Sequence, residues 1–251
     1  MAKYETLGDL MKHYESCCDY KLIRSIPVIV RLDGRAFHSW TRKTRCAKPF
    51  DPQMIMLMAE TTKFLCENCT NCVLGYTQSD EISLLFPDEN ARGTTAWFDK
   101  RLQKLVSLTA SMATYYFNAN NPYKNKIPAF FDSRAFLIPP EDVRGYFIWR
   151  QNDATKNSLS MLAQHLYSHG ELIGRKREDL QELCWQKGHN WNDLSTQEKR
   201  GTAVYKIPVV KKGKNGNVTR MKFVIDPDIP VFSSDSCTLF EDIKQDGVHN
   251  G

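Results

Sequence analysis

The run Ile26-Pro27-Val28-Ile29-Val30-Arg31-Leu32-Asp33-Gly34 has a β-branched, apolar centre and stops on an Asp-Gly pair. It is too short for a stable helix and long enough for a strand buried on both faces, with the Asp-Gly as its turn. Before it, residues 4–18 carry the spacing of an amphipathic helix. After it, residues 52–68 place Met, Leu and Phe at helical intervals behind a first-turn proline. Two short apolar runs, 72–76 and 82–86, flank Thr77-Gln78-Ser79-Asp80-Glu81, which predicts a tight hairpin.

Further along, residues 95–118 read as a long helix, 130–138 as a strand and 155–169 as a helix. The segments 204–210 and 218–225 enclose Lys211-Lys212-Gly213-Lys214-Asn215-Gly216-Asn217. Asn-Gly between apolar runs is a strong hairpin signal. The pattern predicts an α/β (α+β) fold with an antiparallel sheet. Residues 1–140 form the expected first domain, and 141–251 a helical and hairpin extension packed on it as one unit.

Composition bounds the rest. The chain has 251 residues, 41% hydrophobic and 25% charged, enough for a sizeable core. No apolar run approaches the ~20 residues that span a bilayer, and the opening residues lack a basic-then-apolar leader. A cytoplasmic protein without a membrane partner is expected, with its eight cysteines reduced. The net charge of +5 permits nucleic-acid binding without demanding it.

Asp33 and Asp80 are the candidates to carry chemistry. A carboxylate at a strand end is costly unless paired or bound to a cation. Mg²⁺ takes a few carboxylate oxygens with waters and phosphates. Two aspartates from adjacent strands suit two such ions about 3.5–4 Å apart, the arrangement for in-line phosphoryl transfer. Gly34 leaves room for a phosphate, or for its own carbonyl to meet a metal. Spacing alone leaves the alternative open that both aspartates are ordinary turn residues.

Several segments, in order, resemble the histidine-tRNA guanylyltransferase family. They are Arg31-Leu32-Asp33-Gly34-Arg35-Ala36-Phe37-His38 with Ala47-Lys48-Pro49; Gly75-Tyr76-Thr77-Gln78-Ser79-Asp80-Glu81-Ile82-Ser83; and Trp97-Phe98-Asp99-Lys100-Arg101-Leu102-Gln103-Lys104. Phe131-Asp132-Ser133-Arg134 and Trp149-Arg150-Gln151-Asn152-Asp153-Ala154 complete the set. The resemblance implies a domain like the palm of polymerases, which adds nucleotides to the 5′ end of tRNA in the 3′-to-5′ direction. ATP and GTP would be substrates, with other nucleoside triphosphates open, and a homotetramer is expected because family members form tetramers.

By the same resemblance, Asp33 and Asp80 hold two Mg²⁺ ions, the Gly34 carbonyl completes one site, and Glu81 is a third acidic position that secures metal geometry. Residues Asp33, Gly34, Arg35, Ala36, Phe37 and His38 wrap the nucleotide. Ser79, Lys48, Arg101 and Lys104 face its triphosphate, where cations offset the phosphate charge. Arg134, Arg150 and Asn157 are expected tRNA contacts. So are Lys211, Lys212 and Lys214 of the basic hairpin, given an RNA substrate.

One departure narrows the assignment. Members devoted to histidine tRNA carry a His-Ile-Asn-Asn-Leu-Tyr-Asn motif where this chain has Thr155-Lys156-Asn157-Ser158-Leu159-Ser160-Met161. The sequence resembles the guanylyltransferase-like branch, which prefers templated addition and repairs truncated 5′ ends. A nucleotidyl cyclase, active without RNA, or an RNA-binding protein without catalysis are the alternatives.

Two other clusters invite a metal. Cys66, Cys69 and Cys72 lack a fourth ligand, so buried thiols are the better expectation. His165 and His169 lie four apart on an expected helix but lack an accompanying carboxylate, so a solvated face is favoured.

Overall fold

The computed structural model describes residues 4–87, 96–213 and 216–241. In chain order its main elements are α1 (Leu7–Ser16), β1 (Val28–Gly34), α2 (Phe37–Thr44), α3 (Pro52–Asn68), β2 (Leu74–Gln78) and β3 (Glu81–Phe86). There follow α4 (Leu102–Ala119), β4 (Phe131–Leu137), α5 (Val143–Leu166), α6 (His169–Leu172), α7 (Arg177–Gln186), α8 (Thr196–Arg200), β5 (Thr202–Gly213) and β6 (Gly216–Asp226). The strands form one six-stranded sheet, ordered β4-β1-β3-β2-β5-β6, with every paired neighbour antiparallel.

β1 sits inside the sheet because its side chains are apolar on both faces. Val28, Val30 and Leu32 point to one side with Ile82, Leu84 and Phe86 of β3, and join Met58 and Leu65 of α3 and Phe117 of α4. Ile29 points to the other, with Tyr76 and Leu85, against Tyr146 and Phe147 of α5 and Phe232 and Phe240. A smaller cluster of Leu159, Leu162, Cys184 and Trp191 secures the far end of α5. Between them these layers exclude water from both sides of the central strands, the main favourable term in folding.

α3 matches its expected span. Asp51 caps it by accepting from the amides of Gln53 and Met54, and Pro52 occupies a position where no amide is needed. Other boundaries moved. The expected helix 95–118 begins only at Leu102, because Phe98, Asp99 and Lys100 all adopt left-handed backbone angles. That turn is held by Lys21 and Arg24 on the Asp99 carboxylate, and by the Lys100 ammonium donating to the carbonyls of Ile23 and Ile26.

α5 starts twelve residues before the expected 155. Its first half buries Arg150 and Gln151 beside aromatics, so the binary pattern there does not read as an amphipathic helix. It ends at Leu166, which puts His165 and His169 on different helices. Cys66, Cys69 and Cys72 are buried free thiols, and no group of three metal-ligating side chains occurs among the described residues.

Candidate active site

The loop between β2 and β3 is two residues long. Gln78 pairs with Glu81, leaving Ser79 and Asp80 as the turn, and Ser79 takes a left-handed φ of 52°. The turn is braced from below by the Thr77 hydroxyl, which donates to the Glu81 carbonyl at 2.8 Å. Gly201 presses against the same hairpin: a Cβ there would lie 2.5 Å from the Thr77 carbonyl oxygen.

Antiparallel pairing brings this turn to the end of β1. Asp33 stands opposite Glu81 on one side and Asp132 of β4 on the other. One step further into the sheet Arg31 stands between Ser83 and Arg134. A row of carboxylates thus crosses three strand ends, with two arginines in the row behind it, all on the face that packs against α5. The Gly34 amide donates to the Asp80 carbonyl at 3.0 Å and ties the two segments together.

The acids differ in how their charge is met. Glu81 is buried and gripped by two guanidinium groups. Arg150 Nη2 donates to Oε2 at 2.9 Å, and its Nε lies 2.7 Å from Oε1 but off the hydrogen-bond direction. Arg31 Nη2 lies 2.6 Å from Oε2. Burial nonetheless outweighs both arginines and holds the Glu81 carboxyl above its ordinary range. Asp80 is also raised, first by burial and further by the charge of Asp33, against a hydrogen bond from the Ser79 hydroxyl. Among the described residues no cation pairs with Asp33 or Asp80. The site leaves two adjacent carboxylates uncompensated, which is the donor set a hard divalent cation takes.

A sequence profile described as tRNAHis guanylyltransferase matches residues 8–139. The chain belongs to the tRNA(His) guanylyltransferase family. It is a nucleotidyltransferase, and the expected antiparallel sheet with flanking helices is the family fold. A bacterial tRNA(His) guanylyltransferase-like protein, solved in complex with ATP, is 39% identical, with a TM-score of 0.84 over 95% of this chain and 99% of that one. A structure of a bacterial guanylyltransferase-like protein with GTP is also 39% identical, with a TM-score of 0.80 over 94% and 98%. A Dictyostelium discoideum "Probable tRNA(His) guanylyltransferase" is 27% identical over 80% of this chain and 83% of its own.

The remaining residues named from the guanylyltransferase motifs are placed unevenly. Gly34 and Arg35 spend their amides within the protein, on the carbonyls of Asp80 and Phe130, so neither N–H is available to a phosphate. The Phe37 side chain is core: its ring packs with Trp40, Phe117 and Phe131 at centroid distances of 5.1–5.5 Å. Ala36, Phe37 and His38 instead supply the first amides of α2, which a helix leaves without internal acceptors.

Lys48 and Lys104 are exposed, and Lys104 lies over the Phe98 ring. Arg101 pairs with Asp19 at 3.2 Å. Among the described residues, no ion pair or hydrogen bond joins any of these three to Asp33 or Asp80. Arg134 and Asn157 are exposed, as is Lys212 on the hairpin; Lys211 lies in β5, and Lys214 falls outside the described residues. Arg150 is corrected outright: it is 3% exposed and offers no surface to RNA.

Arg31, Asp132 and Asp153 were given no role from sequence. Arg31 had a signal, since a charge within an apolar strand requires a buried partner. Asp132 lies in a matched motif, but only the pairing of β4 with β1 brings it beside Asp33.

Proposed function

We propose that this chain adds nucleotides to the 5′ end of tRNA with two Mg²⁺ ions held by Asp33 and Asp80. The observation that carries this reading is the contrast between Glu81, whose charge two arginines meet, and the neighbouring Asp33–Asp80 pair, with which no cation pairs among the described residues. The ATP- and GTP-bound states of the bacterial relatives support a triphosphate substrate. Mg²⁺ bound there supplies a counter-charge for the triphosphate and activates the attacking hydroxyl.

The chain's own groups do the positioning. The N-terminal amides of α2, at Ala36, Phe37 and His38, face anionic oxygens favourably. Ser79, on the turn itself, offers its hydroxyl, and Lys48, Arg101 and Lys104 supply positive charge. In the transfer, the 3′-oxygen of the incoming nucleotide bonds to the activated 5′ phosphorus of the RNA. AMP leaves from an adenylylated end, or pyrophosphate from a triphosphate. Arg134, Asn157, Lys211, Lys212 and Lys214 are the RNA contacts, reading shape and backbone.

The absent His-Ile-Asn-Asn motif and the 39% identity to bacterial guanylyltransferase-like proteins favour templated addition, with repair of truncated 5′ ends. We read residues 141–251 as part of the same unit, supported by the pairing of β5 with β2. A cytoplasmic homotetramer is the expected working form, and no helix of the described residues is long and apolar enough to cross a membrane.

The test is incubation of 5′-truncated tRNA with ATP, GTP and Mg²⁺ while the opposing base is varied. Addition should follow the complement. Equal incorporation opposite every base ends the templating proposal, and product formed from nucleotide without RNA would favour a cyclase.

A further inference from the structure

Arg150 occupies a core position of α5. The buried stripe of that helix runs through Phe147, Arg150, Ala154 and Ser158, and the guanidinium is as sequestered as the apolar side chains around it. Burying a cation in this way is costly unless its partners are fixed. Those partners are the Glu81 carboxylate, met through two of its nitrogens, and Asp153 at 3.0 Å. On its outer side the guanidinium lies over the exposed Trp149 ring, 4.3 Å from the centroid.

Glu81 in turn holds Arg31 at 2.6 Å. The chain of contacts therefore runs from α5, through Glu81, to β1. Its two ends on the sheet are placed tellingly. Glu81 directly follows Asp80, and Arg31 lies two residues before Asp33 on the same face of β1. Two like-charged carboxylates repel, and the ion pairs at Glu81 add a side-chain restraint to the backbone bond between Gly34 and Asp80. The charges balance within the cluster, Arg31 and Arg150 against Glu81 and Asp153.

We propose that Arg150 is a positioning residue that acts through Glu81 to hold Asp80 and Asp33 at the separation a divalent cation needs, and that it does not touch RNA. This inference rests on the metal reading given above. Residues that orient metal ligands typically change metal affinity 10–100-fold when altered.

The test uses the full chain and Mn²⁺ as the probe, with binding followed by electron paramagnetic resonance and RNA binding measured against salt concentration. Arg150→Lys keeps the charge and loses the paired geometry. It should weaken Mn²⁺ binding about 10-fold, leaving RNA affinity and its salt dependence unchanged. In an Glu81→Gln background the same substitution should add little, because its route to the metal is already cut. Asp153→Asn, at a partly exposed position, loosens Arg150 without removing it. It should shift Mn²⁺ binding in the same direction by a smaller factor, and it decides the matter if Arg150→Lys does not fold.

Unchanged Mn²⁺ binding in the folded variants overturns the proposal, as does lost RNA affinity with a shallower salt dependence. Full additivity with Glu81→Gln also overturns it, since Arg150 would then act by another route. Wild-type protein whose Mn²⁺ binding is insensitive to Asp80→Asn would instead sink the metal reading itself.

Discussion

The amide of Gly34 donates to the carbonyl of Asp80 across 3.0 Å, so one backbone bond joins the end of β1 to the β2–β3 turn. It brings the two segments that carry the aspartates together without using either carboxylate. Among the described residues no cation pairs with either side chain, and this backbone bond is one of the restraints on how closely they approach.

Gly34→Ala should damage this junction. An added Cβ would lie 2.3 Å from the Phe37 ring, which is locked among Trp40, Phe117 and Phe131. Overpacking of this kind costs about 1–3 kcal/mol. Chemical denaturation should show that loss, and pairing the change with Phe37→Leu should recover part of it. A wild-type midpoint for Gly34→Ala would mean that the ring has room to move.

Asp80→Asn should reduce nucleotide addition by roughly 10³-fold, the scale of losing a principal electrostatic group, and leave the fold intact. Single-turnover assays with 5′-truncated tRNA would measure it. Activity within a few-fold of wild type would remove Asp80 from the metal site.

The same substitution should stabilise the protein near neutral pH. Asp80 is raised above its ordinary range by burial and then by Asp33, and Glu81 by burial. A raised carboxyl binds its proton more tightly folded than unfolded, so its contribution is fully present below the unfolded value and is lost as pH rises through the folded one. The advantage of Asn over Asp at position 80 should therefore shrink as pH falls into the ordinary aspartate range. Thermal melts of both proteins across that range would show it; a pH-independent difference would point to packing instead.

Lys212→Ala should weaken tRNA binding and lower the slope of log affinity against log salt by about 1, with little effect on turnover at saturating RNA. Lys212 is exposed on the β5–β6 hairpin, so a loss of stability is not expected. An unchanged slope would exclude this lysine from the phosphate contacts.

The local signals were legible wherever a residue's own chemistry set its conformation. β1, the hairpin at Thr77–Glu81, the start of α3 at Pro52 and the basic hairpin follow from β-branching, turn residues and a first-turn proline, all of which act over a few positions. The start of α5 was not legible, because the partner that makes Arg150 acceptable inside a helix stripe is Glu81, 69 residues away. The break before α4 was hidden for a like reason: Asp99 is held by Lys21 and Arg24, 78 and 75 residues earlier in the chain.

For the site itself, sequence alone determined which residues are acidic, which end strands, and that Asp33 and Asp80 belong to matched motifs. Only the tertiary structure decided that Asp33 faces Glu81 and Asp132, that Phe37 is core, and that Arg150 is buried against the Glu81 carboxylate. The physical reason is that charge compensation depends on distance in space. Strand order and helix packing set that distance, and neither is written in the spacing of residues along the chain.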